Sequence, residues 1–192
     1  MKYKHYGDLL TREACELVVG IDQSYSGFAV TLMAKSGDPH YQSWVFKAPG
    51  TGIDRLQLIR ETLTDILSEA PLPGSTLVDS GMEGYAYGAQ MAHMAGELGG
   101  MVKSVLYQLD TPAKYPLIIP PANIKKYVTG KGTGVQKNQM LLHTFKTFGV
   151  EFDDDNAADS YAIAMMVSGR SKNANQKEVL SKLSDPKFRE KP

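Results

Sequence analysis

Four acidic residues carry most of the chemistry this sequence can offer. Asp22 closes an apolar run in "VVGIDQSYSGFAV", Glu83 closes another in "STLVDSGMEGY", and Asp155 and Asp159 open the segment "DDNAADSYAIAMM". Carboxylates gathered at one place repel each other unless a proton or a cation intervenes. Hard oxygen donors select Mg²⁺ or Mn²⁺, and two such ions can stabilise both the attacking and the leaving oxygen of a phosphodiester. Asp155 has a plainer alternative as a helix N-cap, a role equally open to Asp153 and Asp154. Asp159 has less of one, because an acid among Ala, Ile and Met is not buried without a partner.

The formal net charge of the 192-residue chain is zero, but its distribution is uneven. Residues 98 to 150 hold seven lysines (103, 114, 125, 126, 131, 137 and 146) and one acid, Asp110, a local charge of +6. Residues 151 to 169 hold five acids and no Lys or Arg. Such a pairing is either a phosphate-binding surface beside a metal site or a solvated helix face beside an acidic cap. His5, His40, His93 and His143 show no metal-ligand spacing, and the single Cys15 excludes an internal disulfide or a cysteine-cluster zinc site. No stretch approaches the roughly 18 apolar residues that span a bilayer, and "MKYKHYGDLLTREACE" has no apolar signal core. A soluble, cytoplasmic protein with no membrane partner is expected.

The elements that must position these residues follow from periodicity. "ELVVGID", "FAVTLMA" and "YQSWVFKA" read as three antiparallel strands joined by Gly- and Ser-bearing turns. Leu56, Ile59, Leu63, Ile66 and Leu67 form one stripe of a helix over 54–69, which "PLPG" stops. A fourth strand ends near Glu83, a long helix runs from Gly88 to Leu109, and "YPLIIP" is a fifth strand. The Gly99-Gly100 pair inside that helix marks close packing against a neighbour. "ANIKKYV" gives one or two helical turns, "TGKGTG" a flexible loop, and helices are expected over Val135–Phe148 and from about Asn156 to Ser168. The division expected is a polar arm over 1–15, one domain over 16–169, and a disordered polar tail over 170–192. The order describes an α/β sandwich around a mixed five-stranded sheet, three antiparallel strands then two parallel, of ribonuclease H-like type. If the first and fourth strands are adjacent, Asp22 and Glu83 converge; Asp155 and Asp159, at i and i+4, share a helix face that can join them.

Four segments in order, "GIDQSYSGFAV", "MEGYAYG", "IIPPANIKKYVTGKGTGVQKNQM" and "DDDNAADSYAIA", resemble the RuvC family of Holliday junction resolvases, particularly its divergent phage-type members. The resemblance implies a metal-dependent endonuclease, bacterial or phage-encoded. It would act as a homodimer on four-way DNA junctions by paired nicking, with two Mg²⁺ per site, Mn²⁺ as a substitute, and no small-molecule cofactor. It assigns Asp22, Glu83 and Asp159 as ligands. The fourth is Asp155 or, through its amide oxygen, Asn156, which stands where the family carries an acid or a His; Asp155 is preferred because a charged ligand neutralises the ion better. Lys125 and Lys137 match the family's lysine-bearing segment, where Lys137 would act on the scissile phosphate, and Lys126 and Lys131 would contact the DNA backbone. The family's base-stacking aromatic, three residues after Glu83, is replaced here by Ala86, so Tyr85 or Tyr87 either wedges at the branch point or simply packs.

Three other functional readings stand beside this one, one of them a non-catalytic DNA-binding module, which leaves four acids beside a basic segment unexplained. The same fold could serve other branched DNA, such as forks, flaps or packaging intermediates. The Gly-Ile-Asp hairpin also resembles the phosphate-binding strands of the sugar kinase and actin superfamily. Those proteins, however, clasp ATP between two related domains, and this chain has room for one. The long helix from Gly88 is the expected dimer surface.

Overall fold

The computed structural model describes residues 2–7, 14–69, 71, 73–85 and 92–191. Six strands form one sheet: β1 (Lys2–Gly7), β2 (Glu16–Asp22), β3 (Phe28–Ala34), β4 (Tyr41–Lys47), β5 (Thr76–Glu83) and β6 (Leu117–Ile119). Their spatial order is β1-β4-β3-β2-β5-β6. β2, β3 and β4 pair antiparallel, while β2–β5 and β5–β6 pair parallel, so the five expected strands stand in the expected mixed sheet. β1 adds a sixth strand, antiparallel on the edge of β4.

Two helical layers cover the sheet, and strand alternation decides which residue meets which layer. In β2, Leu17, Val19 and Ile21 face the side covered by α1 (Gly52–Glu69) and α2 (Ala92–Gln108). Val18 faces the opposite side, covered by α3 (Pro121–Thr129), α4 (Lys137–Phe148) and α5 (Asp155–Val167). A strand buried on both faces is nearly all apolar, which is why β2 reads as a continuous run. By the same two-residue period Asp22 lies on the α5 side. Glu83 does as well, since it shares the parity of Gly81, where a Cβ would stand 2.5 Å from Val167 of α5.

Two boundaries differ from the sequence expectation. The polar arm contains β1: "KYKHYG" has no apolar alternation, but the open edge of β4 supplies the hydrogen-bond partners that fix it as a strand. The tail expected to be disordered contains α6 (Ala174–Leu183) and a 3-10 turn over Pro186–Phe188. Val179 and Leu183 are buried there and Asn173 caps the helix, so two anchors outweigh the polar residues around them. Beyond α6, Arg189 closes the segment onto β5 through a two-pronged pair with Asp79, while the backbone amide of Glu190 donates to Pro116. The long helix is described from Ala92; its expected start at Gly88 lies outside the described residues.

Candidate active site

Asp22 ends β2, and the neighbouring parallel strand β5 ends at Glu83 in matching register, since Ile21 pairs with Met82. The two carboxyl groups hydrogen-bond each other. That contact needs a proton between two acids. The Asp22 carboxyl is held well above its ordinary range by burial first, then by the charges of Glu83 and Asp159, and further by Asp155. Asp22 is only 4% exposed. Glu83 is raised by its own burial, opposed by the bond to Asp22 and by the charge of Lys125.

α5 brings the other two acids. Its N-terminus is capped by Asp154, whose side chain accepts from the Asn156 backbone amide at 3.0 Å and from the Asn156 side-chain amide at 2.8 Å. Asp153 is engaged elsewhere, with Lys4 at 2.9 Å and with the Tyr6 hydroxyl, both on β1. The three consecutive aspartates thus have separate tasks, and Asp155 is relieved of capping. Burial, then the charges of Glu83 and Asp155, push Asp159 up to about 7, against the opposing pull of Lys125 and Lys137. One of its oxygens, Oδ1, is buried with no hydrogen-bond partner.

Lys137, the first residue of α4, reaches Asp155 at 2.5 Å while 81% of its side chain stays exposed. The pair with Asp155, and then the charges of Asp155, Asp159 and Asp22, raise its pKa. Lys125, on α3, supplies the second positive charge felt by Glu83 and Asp159. Asp22, Glu83, Asp155, Asp159, Lys125 and Lys137 therefore gather at one end of the sheet.

The remaining expected residues divide. Lys126 is paired at 2.6 Å with Glu178 of α6, and Lys131 is exposed on the glycine loop. The Asn156 side-chain nitrogen is bonded to Asp154 and lies against Gly27, where a Cβ would come within 2.6 Å of it. Tyr85 is half-buried, with its hydroxyl against α2 at Gly99; Tyr87 and Ala86 lie outside the described residues. Gln23 was not foreseen. Its side chain donates to the Glu83 backbone carbonyl at 2.6 Å, tying the ends of β2 and β5 together, and a Cβ at Gly99 would crowd it at 2.7 Å. The sequence signal was its position beside Asp22, read only as part of a turn.

The donor set suits a hard divalent cation: four carboxylates, one with a buried oxygen left unpaired, and two of them, Asp22 and Asp159, with pKa values raised by burial and by neighbouring carboxylates. Among the described residues no three His, Cys, Asp or Glu side chains stand in a ligating cluster. Asp22 is turned to Glu83 and Asp155 to Lys137.

No protein-family model matches the chain, and no curated protein matches it in sequence. Among solved structures it is similar to RuvC of Thermus thermophilus, with a TM-score of 0.61 at 17% identity over 91% of this chain and 98% of that one. It is also similar to T. thermophilus RuvC in complex with a Holliday junction substrate, with a TM-score of 0.57 at 18% identity over 78% and 90%. At these identities the likeness is one of fold: a ribonuclease H-like mixed sheet flanked by helices.

Proposed function

We propose that this protein is a structure-selective endonuclease that hydrolyses phosphodiester bonds in branched DNA. The observation that carries the reading is the gathering of Asp22, Glu83, Asp155 and Asp159 at the end of β2, β5 and α5, largely buried and faced by Lys125 and Lys137. Packing alone has no use for so many acids in one place, and burial, then the neighbouring carboxylates, raises the pKa of Asp22 and Asp159. Asp22, Glu83, Asp155 and Asp159 would hold Mg²⁺, with Mn²⁺ as a substitute. Bound there, the ions supply charge neutralisation at the attacking and leaving oxygens.

The chain's own groups have distinct tasks in this reading. Asp22 gives up the proton it shares with Glu83 when the site is charged. Lys137, exposed and already beside Asp155, swings to a non-bridging oxygen of the scissile phosphate and offsets its growing charge. Lys125 stays closer to Glu83 and Asp159 and limits their repulsion. Lys131 and the glycines of "TGKGTG" let a DNA backbone approach, whereas Lys126 must first leave Glu178 to do so.

Four-way junctions cleaved by a homodimer are the narrower form of the proposal; forks, flaps and other branched DNA are the broader one. The apolar stripe of α2 is spent on the core, with Leu98, Val102, Val105 and Leu106 buried. Its outer face carries exposed Gly96, Gly100 and Ser104, with open space beside both glycines. This small-residue surface supports pairing through α2 with a second copy in a symmetric dimer.

The decisive experiment is a cleavage panel of four-way, three-way, flap and linear duplex DNA, with Mg²⁺ and with EDTA. Asp22→Asn is expected to abolish cleavage and leave junction binding intact, since removing an anion near phosphate does not weaken electrostatic affinity. Full activity in that variant would refute the site, and ATP binding would favour the kinase-like alternative.

A further inference from the structure

α5 carries two of the four acids. From Ala157 to Met166 it is buried almost throughout, apart from Asp159; Tyr161 packs against Tyr41, Phe148 and Phe152, while the Ala, Ile and Met side chains around it offer no sharp apolar stripe. A second feature indexes the helix. Gly81, Gly20, Thr31 and Ser43 lie side by side across β5, β2, β3 and β4, each paired in register with the next. On the α5 side this row is a trough of small residues. A Cβ at Gly20 would collide with the Ser160 carbonyl and the Ala164 amide, and one at Gly81 would meet Val167 at 2.5 Å.

At the far end of the trough the contact is polar. Thr31 Oγ1 lies 2.7 Å from Ser43 Oγ and 2.8 Å from Ser160 Oγ, and Ser160 donates to the Ala157 carbonyl at 3.0 Å. All three hydroxyls belong to residues with no measurable exposure. Thr31–Ser43 lies within the sheet and Ser160–Ala157 within α5, so the Thr31–Ser160 bond is the one that crosses; it is made at one rotation and height of the helix and lost at neighbouring ones, leaving a buried hydroxyl short of a partner. Ser160 is the residue after Asp159, so the setting that satisfies the hydroxyls also fixes Asp159 and, one turn back, Asp155.

We infer that Thr31, Ser43 and Ser160 are positioning residues that index α5 on the sheet and thereby hold Asp159 and Asp155 opposite Asp22 and Glu83. The inference rests on the proposed carboxylate site. The hydroxyls touch neither substrate nor ion in this reading and act only through the placement of the helix.

The experiment compares Thr31→Ser, which keeps the hydroxyl, Thr31→Val, which keeps the shape, and the combination Thr31→Val/Ser43→Ala/Ser160→Ala. The triple variant leaves no hydroxyl unpaired, so its melting temperature is expected to recover relative to Thr31→Val. Its Mn²⁺ affinity by calorimetry, and its kcat on branched DNA, are nevertheless expected to fall roughly tenfold with KM for DNA unchanged, while Thr31→Ser stays within about threefold of wild type. A triple variant that melts, binds Mn²⁺ and cleaves as the wild type does would overturn the inference. If the wild type itself binds no Mn²⁺, the metal reading fails independently. A crystal structure of the triple variant then decides: a rotated or shifted α5 upholds the indexing role, and an unmoved one removes it.

Discussion

Replacing Asp159 with Asn should make the protein more stable, by an amount that grows with pH. Burial together with the charges of Glu83 and Asp155 pushes the Asp159 carboxyl up to about 7 from an ordinary value of 3.8. A carboxyl raised in the folded state binds its proton more tightly there than in the unfolded chain. It therefore costs almost nothing below about pH 3, where both states are protonated, and destabilises progressively as pH rises from there to about 7. The gap of roughly three units corresponds to about 4 kcal/mol above neutral pH, of which about 1 is already present at pH 4.5. Asn carries the neutral form's shape without the charge, so the advantage of Asp159→Asn should grow by about 3 kcal/mol between pH 4.5 and pH 8. Urea unfolding of both proteins in EDTA at low ionic strength measures this. Added Mg²⁺ at pH 8 should stabilise the wild type and leave Asp159→Asn much less affected, because a cation bound only by the folded state shifts the equilibrium by mass action. A difference between the two proteins that stays constant from pH 4.5 to pH 8 would refute the claim that Asp159 is buried among like charges.

Three further outcomes are expected. Gly20→Ala drives a methyl group into the backbone of α5 at Ser160 and Ala164, where no side chain can yield; a loss of about 3 kcal/mol or more, roughly 10 °C in melting temperature, should appear in calorimetry. Lys137→Ala should lower the cleavage rate far more than junction affinity, and an unchanged rate in single-turnover kinetics would remove Lys137 from the chemistry. Light scattering at micromolar concentration should return a dimer for the wild type and a monomer for Gly100→Glu, whose charge would stand on the exposed face of α2; a wild-type monomer would end the pairing through α2.

Much of this was written in the chain order. The short apolar runs of "ELVVGID" and "FAVTLMA", bounded by turn residues, and the alternation of "YQSWVFKA" marked the strands. The apolar run of β2 marked a strand buried on both faces, and an acid at each strand end pointed to the edge where chemistry gathers. Residues whose order comes from a distant partner were hidden. β1 is a strand because β4 has a free edge, and α6 is a helix because the core accepts Val179 and Leu183. The aspartate run shows the same division. Sequence offers Asp153, Asp154 and Asp155 as equivalent caps, and nothing local separates them. Lys4 and Tyr6, about 150 positions away, claim the first, Asn156 takes the second, and Lys137 meets the third.

By itself, then, the sequence determined the five central strands and the helices from α1 to α5, and offered the four acids as candidates, because side-chain pattern and chemistry are local properties. Only the tertiary structure decided that Gly20 and Thr31 seat α5, that Gln23 ties Glu83 to β2, and that burial beside Glu83 and Asp159 holds the Asp22 carboxyl well above its ordinary range. Those facts depend on distances between strands and helices that meet only when the sheet is complete, and burial gives them their weight by removing the water that would otherwise screen them.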